Sequence, residues 1–163
     1  MGMQYHRSTD RNADQLQKGK INMDMYEKMG VNPLSLMETL ADEAVYLAKM
    51  DMDLSQEVAL YEQGIRLTAK AWKIPSSFPE ELLQEIQGAK TAPRTPPELK
   101  ARPVEVTRSL ILNLYSTDMK LRNWDERNQM RNLIDFAVYY PEPLRDRYQE
   151  ATEISPSSGM TLG

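Results

Sequence analysis

Leu54, Val58, Tyr61, Ile65, Thr68 and Trp72 follow one another at steps of four, three, four, three and four residues. An α-helix places all six on one side, giving an apolar seam with a seven-residue repeat. A second stripe precedes it: Met37, Leu40, Ala44 and Leu47, widened by Leu36, Ala41, Val45 and Ala48. Residues 32–74 therefore read as two antiparallel amphipathic helices joined by a short acidic turn. A stripe this wide needs more than one neighbour to cover it, so further helices must pack on the pair.

The ends of the hairpin carry their own signals. Asn32 before Pro33 is a cap with proline at the first helical position, where its missing N–H is not needed. Ser35 with Glu38 offers a second capping box a little later. Asp53 and Ser55 are both N-cap candidates for the second helix, and Pro75 closes it. Gly64, inside that helix, costs about 1 kcal/mol relative to alanine. A neighbouring backbone pressed against the seam would explain it, and so would a tolerated glycine on a wet face. Glu62 and Arg66 fall nearer the flank or outer face.

After the hairpin, Ser76-Ser77-Phe78-Pro79-Glu80-Glu81 is a helix start. Leu82, Leu83 and Ile86 give that helix an apolar face over two to three turns, ending at Gly88. Pro93, Pro96, Pro97 and Pro103 then forbid a helix and favour an extended strap. Pro93-Arg94-Thr95-Pro96 fits a P-x-x-P ligand pattern, for which a stiff connector is the simpler reading. Beyond it, Leu110, Leu114, Leu121 and Trp124 share one helical face, with Ile111 and Tyr115 beside it. Asn123 with Glu126 restarts a helix, so a turn is expected near 123–125. Met130, Leu133, Ile134, Ala137 and Val138 form a further stripe, and residues 144–152 one more short helix.

With no hairpin-type alternation, the fold class is all-α: a compact bundle of about five to six helices built on the central antiparallel hairpin. Residues 1–20 read as a flexible N-terminal arm. Residues 21–152 form a single helical domain with a proline-rich connector at 89–103, and 153–163 a disordered tail. Within the domain, Ile21, Met23, Met25, Tyr26 and Met29 suggest a short helix closed by Gly30.

The residue inventory narrows the chemistry. There is no cysteine, hence no disulfide, thiolate zinc site or cysteine nucleophile, which suits a reducing, cytoplasmic setting. No apolar run approaches a membrane span, so no membrane partner is expected. The single histidine, His6, lies in the arm, where nothing orients it as a general base. Glycine-rich phosphate loops are absent. Glu38 with Asp42 reads as a solvated face, and Asp51 with Asp53 as capping. No catalytic residue, cofactor site or metal site is expected.

Two groups remain as candidate contacts. Six of the eleven methionines fall between positions 23 and 52, including two Met-Asp-Met triplets. Thioethers of this kind suit Cu(I), but flexible packing accounts for them better, so Met23, Met25, Met29, Met50 and Met52 form a candidate partner surface. Residues 1–89 hold nine Lys/Arg against fourteen Asp/Glu, and residues 90–163 eleven against ten. That places basic residues in the back half, and Arg102, Arg108, Lys120, Arg122, Arg127 and Arg131 are candidate nucleic-acid contacts, with Tyr115 and Trp124 able to stack on bases. Asp118, Asp125, Glu126 and Asp135 are interleaved with them, as on a solvated helix face. The expected function is that of a non-enzymatic structural or adaptor protein acting through protein–protein contacts or self-association, as a subunit of a larger assembly. The alternative is a nucleic-acid-associated regulatory protein.

Overall fold

The structure, a computed structural model, describes residues 31–140 and 144–152. Among these residues lie six helices and no strand: α1 (Pro33–Lys49), α2 (Ser55–Trp72), α3 (Ser77–Lys90), α4 (Val104–Lys120), α5 (Trp124–Tyr139) and α6 (Arg145–Thr152). The expected arm, the short helix at 21–29 and the tail at 153–163 lie outside the described residues.

Helix α2 is the axis of the bundle, touching α1, α3, α4 and α5, while α1 also packs on α3 and α4. All six seam residues of α2 are buried, as are Met37, Leu40, Ala44 and Leu47 of α1. Burial of these two stripes against each other and against α3–α5 supplies the main drive for folding. The predicted cap is in place: the Asn32 side chain accepts the Ser35 N–H at 3.0 Å. At the start of α2, Asp53 Oδ1 accepts from the Ser55 N–H (3.2 Å) and hydroxyl (2.8 Å). Those bonds hold the Asp53 carboxyl below the usual carboxylate range. The helix ends at Lys73, which takes the left-handed conformation (φ 55°), so that the Ile74 N–H closes on the Ala69 carbonyl. That ending comes two residues ahead of Pro75.

Gly64 is a site of close approach. A Cβ at this position would lie 2.3 Å from Leu133 Cδ2 of α5 and 3.3 Å from Leu40 Cδ1 of α1. Its missing side chain is what lets α5 settle onto α2, and the wet-face alternative is set aside. Glu62 departs from expectation, because it is buried and paired with Lys90 at 3.0 Å. Glu38 is buried too, so it does not belong to a solvated face. Helix α3 is longer than its sequence suggested, continuing through an exposed Gly88 to Lys90.

The break between α4 and α5 falls at residues 121–123, where Asn123 Oδ1 accepts the Glu126 N–H at 3.0 Å. Leu110, Leu114 and Leu121 are buried together, but Trp124 opens a new helix and is 74 % exposed. A helical periodicity cannot be carried across a break in the helix, which is why Trp124 leaves the face it was assigned to. Val138 is also exposed, while Met130, Leu133, Ile134 and Ala137 are buried. Helix α6 is tied to the start of α2 by Arg147, which donates to Glu57 Oε1 at 2.7 Å and to the Asp53 carbonyl at 3.0 Å.

Two substitutions test this packing. Gly64→Ala gains about 1 kcal/mol of helix propensity against about 1–3 kcal/mol of overpacking because Leu133 must move, so urea melts should show a net loss of no more than about 2 kcal/mol. Ile65→Ala should cost roughly 2–5 kcal/mol, while Arg66→Ala, at an exposed position, should stay within about 0.5 kcal/mol.

Candidate interaction surface

The proline strap is fixed at both ends by arginine. Arg94 Nη2 donates to the carbonyls of Ala48 (2.7 Å) and Ala89 (3.3 Å), and Nη1 to that of Met50 (3.3 Å). One guanidinium thus serves the carbonyl ends of α1 and α3, where a cation is favoured. Thr95 pairs with the backbone on either side of Met50, its N–H donating to Lys49 O and its carbonyl accepting from Asp51 N, both at 2.8 Å. The P-x-x-P segment is therefore a fastened connector.

At the other end, Arg102 donates through Nε and Nη2 to the Glu43 carboxylate, and through Nη1 to the Ala137 carbonyl at 3.3 Å. Its guanidinium also lies 4.7 Å from the centre of the Tyr140 ring. The Tyr61 hydroxyl donates to Glu43 Oε1 at 2.7 Å. Burial, then the Glu43 charge, lifts the Tyr61 phenol well above its usual range, and the same two causes push Tyr140 up to about 12. A cavity of about 230 Å³ opens beside the cluster, lined by residues that include Tyr46, Tyr61 and Tyr140.

Helix α4 follows directly, and its inner side is mixed, with Leu110 and Leu114 beside polar residues. Three of its buried residues, Asn113, Thr117 and Asp118, are polar. Each has a partner: the Asn32 N–H donates to Asn113 Oδ1 (2.9 Å), the Trp72 indole N–H to the Thr117 hydroxyl (3.0 Å), and Arg127 and Arg131 to Asp118 Oδ2, while Asp118 Oδ1 is buried without one. Leu112, Tyr115 and Met119 lie on the opposite side, at steps of three and four, and are 54 %, 49 % and 79 % exposed. Arg108 continues the same row toward the N-terminus, also exposed. Single exposed apolar residues are ordinary, and these three fall in one row along the helix. Beside Met119 a groove of about 380 Å³ runs between Val31, Trp72, Ser116, Lys120 and Arg122.

The structure divides the residues singled out in the sequence. Met50 is not on a surface: it is buried, and its sulfur accepts the Glu98 N–H at 3.5 Å. Met52 is half-buried beside a cavity at the α1–α2 turn, and Met23, Met25 and Met29 lie outside the described residues. Among the basic set, Arg102 is enclosed, its side chain 8 % exposed against Glu43. Arg127 and Arg131 converge on Asp118, and Lys120 lies over the Trp72 ring at 4.7 Å. Arg108 and Arg122 are exposed. Leu112 and Met119 did not stand out in the sequence, although with Tyr115 they share helical spacing. Among the described residues, no group of three or more His, Asp or Glu side chains is placed to hold a metal ion.

The two raised phenols make a pH prediction. Between pH 10 and about 12, an unfolded chain loses the protons of Tyr61 and Tyr140 while the folded chain keeps them. The stability they confer is complete below pH 10 and declines as pH rises through that window. Melting temperature should fall across this range, and less steeply for Tyr61→Phe and Tyr140→Phe; an equal slope in all three would contradict the cluster.

No protein-family model, curated protein or solved structure matches the chain, so its function has to be read from its own residues.

Proposed function

We propose that this is a non-enzymatic structural or adaptor protein that works by protein–protein contact within a larger assembly, docking through the outward face of α4. The exposed apolar row on the outer side of α4 carries the reading. The inner side of that helix already places Leu110 and Leu114 in the core beside Asn113, Thr117 and Asp118, which leaves Leu112, Tyr115 and Met119 outside it. Leaving such a row in water forgoes the burial free energy of three large side chains, which a partner would recover. The rim of the groove is basic, at Lys120 and Arg122, which favours a partner carrying apolar and acidic residues together. A cysteine-free chain fits the cytoplasm, and no helix among the described residues is long and apolar enough to cross a membrane. Nucleic-acid regulation has less support, since Arg102, Arg127 and Arg131 are already engaged by carboxylates.

The test is the triple variant Leu112→Ser, Tyr115→Ser, Met119→Ser in the full chain. Wild-type protein should self-associate in sedimentation or retain a protein partner from extracts of its source. The variant should melt within a few degrees of wild type and bind at least about tenfold more weakly. Unchanged association in the variant, or a wild-type chain that associates with nothing, would overturn the proposal.

A further inference from the structure

The outward row of α4 complements itself when a second copy of the helix is laid across it in the opposite direction. Val104, Arg108, Leu112, Tyr115 and Met119 stand on one side of the helix, at steps of four, four, three and four, and all are exposed. Turned end for end with Leu112 as the pivot, the row sets Val104 opposite Met119 and Arg108 opposite Tyr115, while Leu112 meets Leu112. Every contact away from the pivot is then made twice, as a two-fold axis requires. The residues set opposite each other suit contact: an aliphatic side chain meets a thioether, and a guanidinium meets a phenol ring.

The flank of the row carries matching charge. Glu105 shares a cavity wall with Ser109, and Lys120 shares the groove wall with Ser116. Ser109 and Ser116 are seven residues apart, so Glu105 and Lys120 lie on the same flank at opposite ends of α4, and both are exposed. A two-fold axis across the antiparallel pair brings like flanks together. Glu105 lies seven residues before Leu112 and Lys120 eight after it, so the acid of one copy meets the base of the other within about 1.5 Å along the axis. Parallel pairing would instead set Arg108 against Arg108 and Lys120 against Lys120, which like charges oppose.

Helix α5 widens the contact. Trp124 and Val138, both exposed, stand seven residues on either side of Arg131, whose guanidinium reaches Asp118 of α4. They edge the α4 row, Trp124 at its Met119 end and Val138 at its Val104 end, because the break at 121–123 sends α5 back along α4. The same two-fold operation brings Trp124 of one copy toward Val138 of the other.

We infer that the partner of this face is a second copy of the chain, and that two copies pair α4 against α4 in antiparallel order with Leu112 at the two-fold axis. The inference rests on α4 being the docking face and supplies its partner. Val104 and Glu105 are the apolar and acidic residues that suit the basic rim.

Because the chain has no cysteine, single introduced cysteines map the pairing in the full-length protein. With a short bis-maleimide, Leu112→Cys should give linked dimers at least about tenfold faster than Met119→Cys, since the two copies of position 119 would lie about 20 Å apart along the axis. In sedimentation equilibrium, Glu105→Lys and Lys120→Glu should each weaken the dimer about tenfold, because each sets like charges together twice. Mixing the two variants should restore dimers, since both contacts in the mixed pair are then of opposite sign, and that recovery shows both chains folded. Equal linkage at 112 and 119, or no recovery on mixing, would overturn the antiparallel pairing. If the wild-type chain stays monomeric while the α4 triple variant loses a partner from extracts, self-pairing falls and docking stands. If the triple variant dimerises as the wild type does, both fall together.

Discussion

Glu43 on α1 accepts one hydrogen bond from Tyr61 of α2 and two from Arg102 at the end of the strap, and Arg102 reaches on to the Ala137 carbonyl and the Tyr140 ring. Four parts of the chain that are distant in sequence thus meet at one carboxylate. The Glu43–Arg102 pair is half-buried, so losing one partner should cost less than the roughly 3–5 kcal/mol of a fully buried pair, and an apolar replacement of both is often neutral. Its importance is therefore positional. Arg102 is followed by Pro103 and then by the first residue of α4, so the clamp fixes where α4 starts and how it is turned.

How α4 is turned decides which of its two rows faces inward. Asn113, Thr117 and Asp118 enter the interior, each with a donor or acceptor supplied by a neighbouring element. Buried polar groups are tolerable only with such partners. Aligning them inward directs Leu112, Tyr115 and Met119 to solvent. The exposed apolar row and the internal polar contacts are consequences of the same rotation, and the close approach of α5 at Gly64 holds the other side of the bundle in place.

Much of the fold is legible in the sequence. The α2 seam, the Asn32 cap, the proline strap and the break before α5 follow from period, capping chemistry and the geometry of proline. The Glu43–Arg102 clamp is not legible, since its partners are 59 residues apart and no periodicity links them. Nor is the outer face of α4. Apolar residues surround that helix, forming one row through Leu110 and Leu114 and another through Leu112, Tyr115 and Met119. Spacing finds both rows and cannot rank them. The ranking comes from Asn32, Trp72 and Arg131, which hydrogen-bond to polar residues of the inner side.

Leu112 and Leu114 are identical side chains two positions apart on α4, one 54 % exposed and the other fully buried. Urea melts of Leu112→Ala and Leu114→Ala compare the two rows directly. If the outward row is reserved for contact, Leu114→Ala should cost roughly 2–5 kcal/mol and Leu112→Ala no more than about 0.5 kcal/mol. Comparable losses at both positions would make the outward row part of the core and contradict the account.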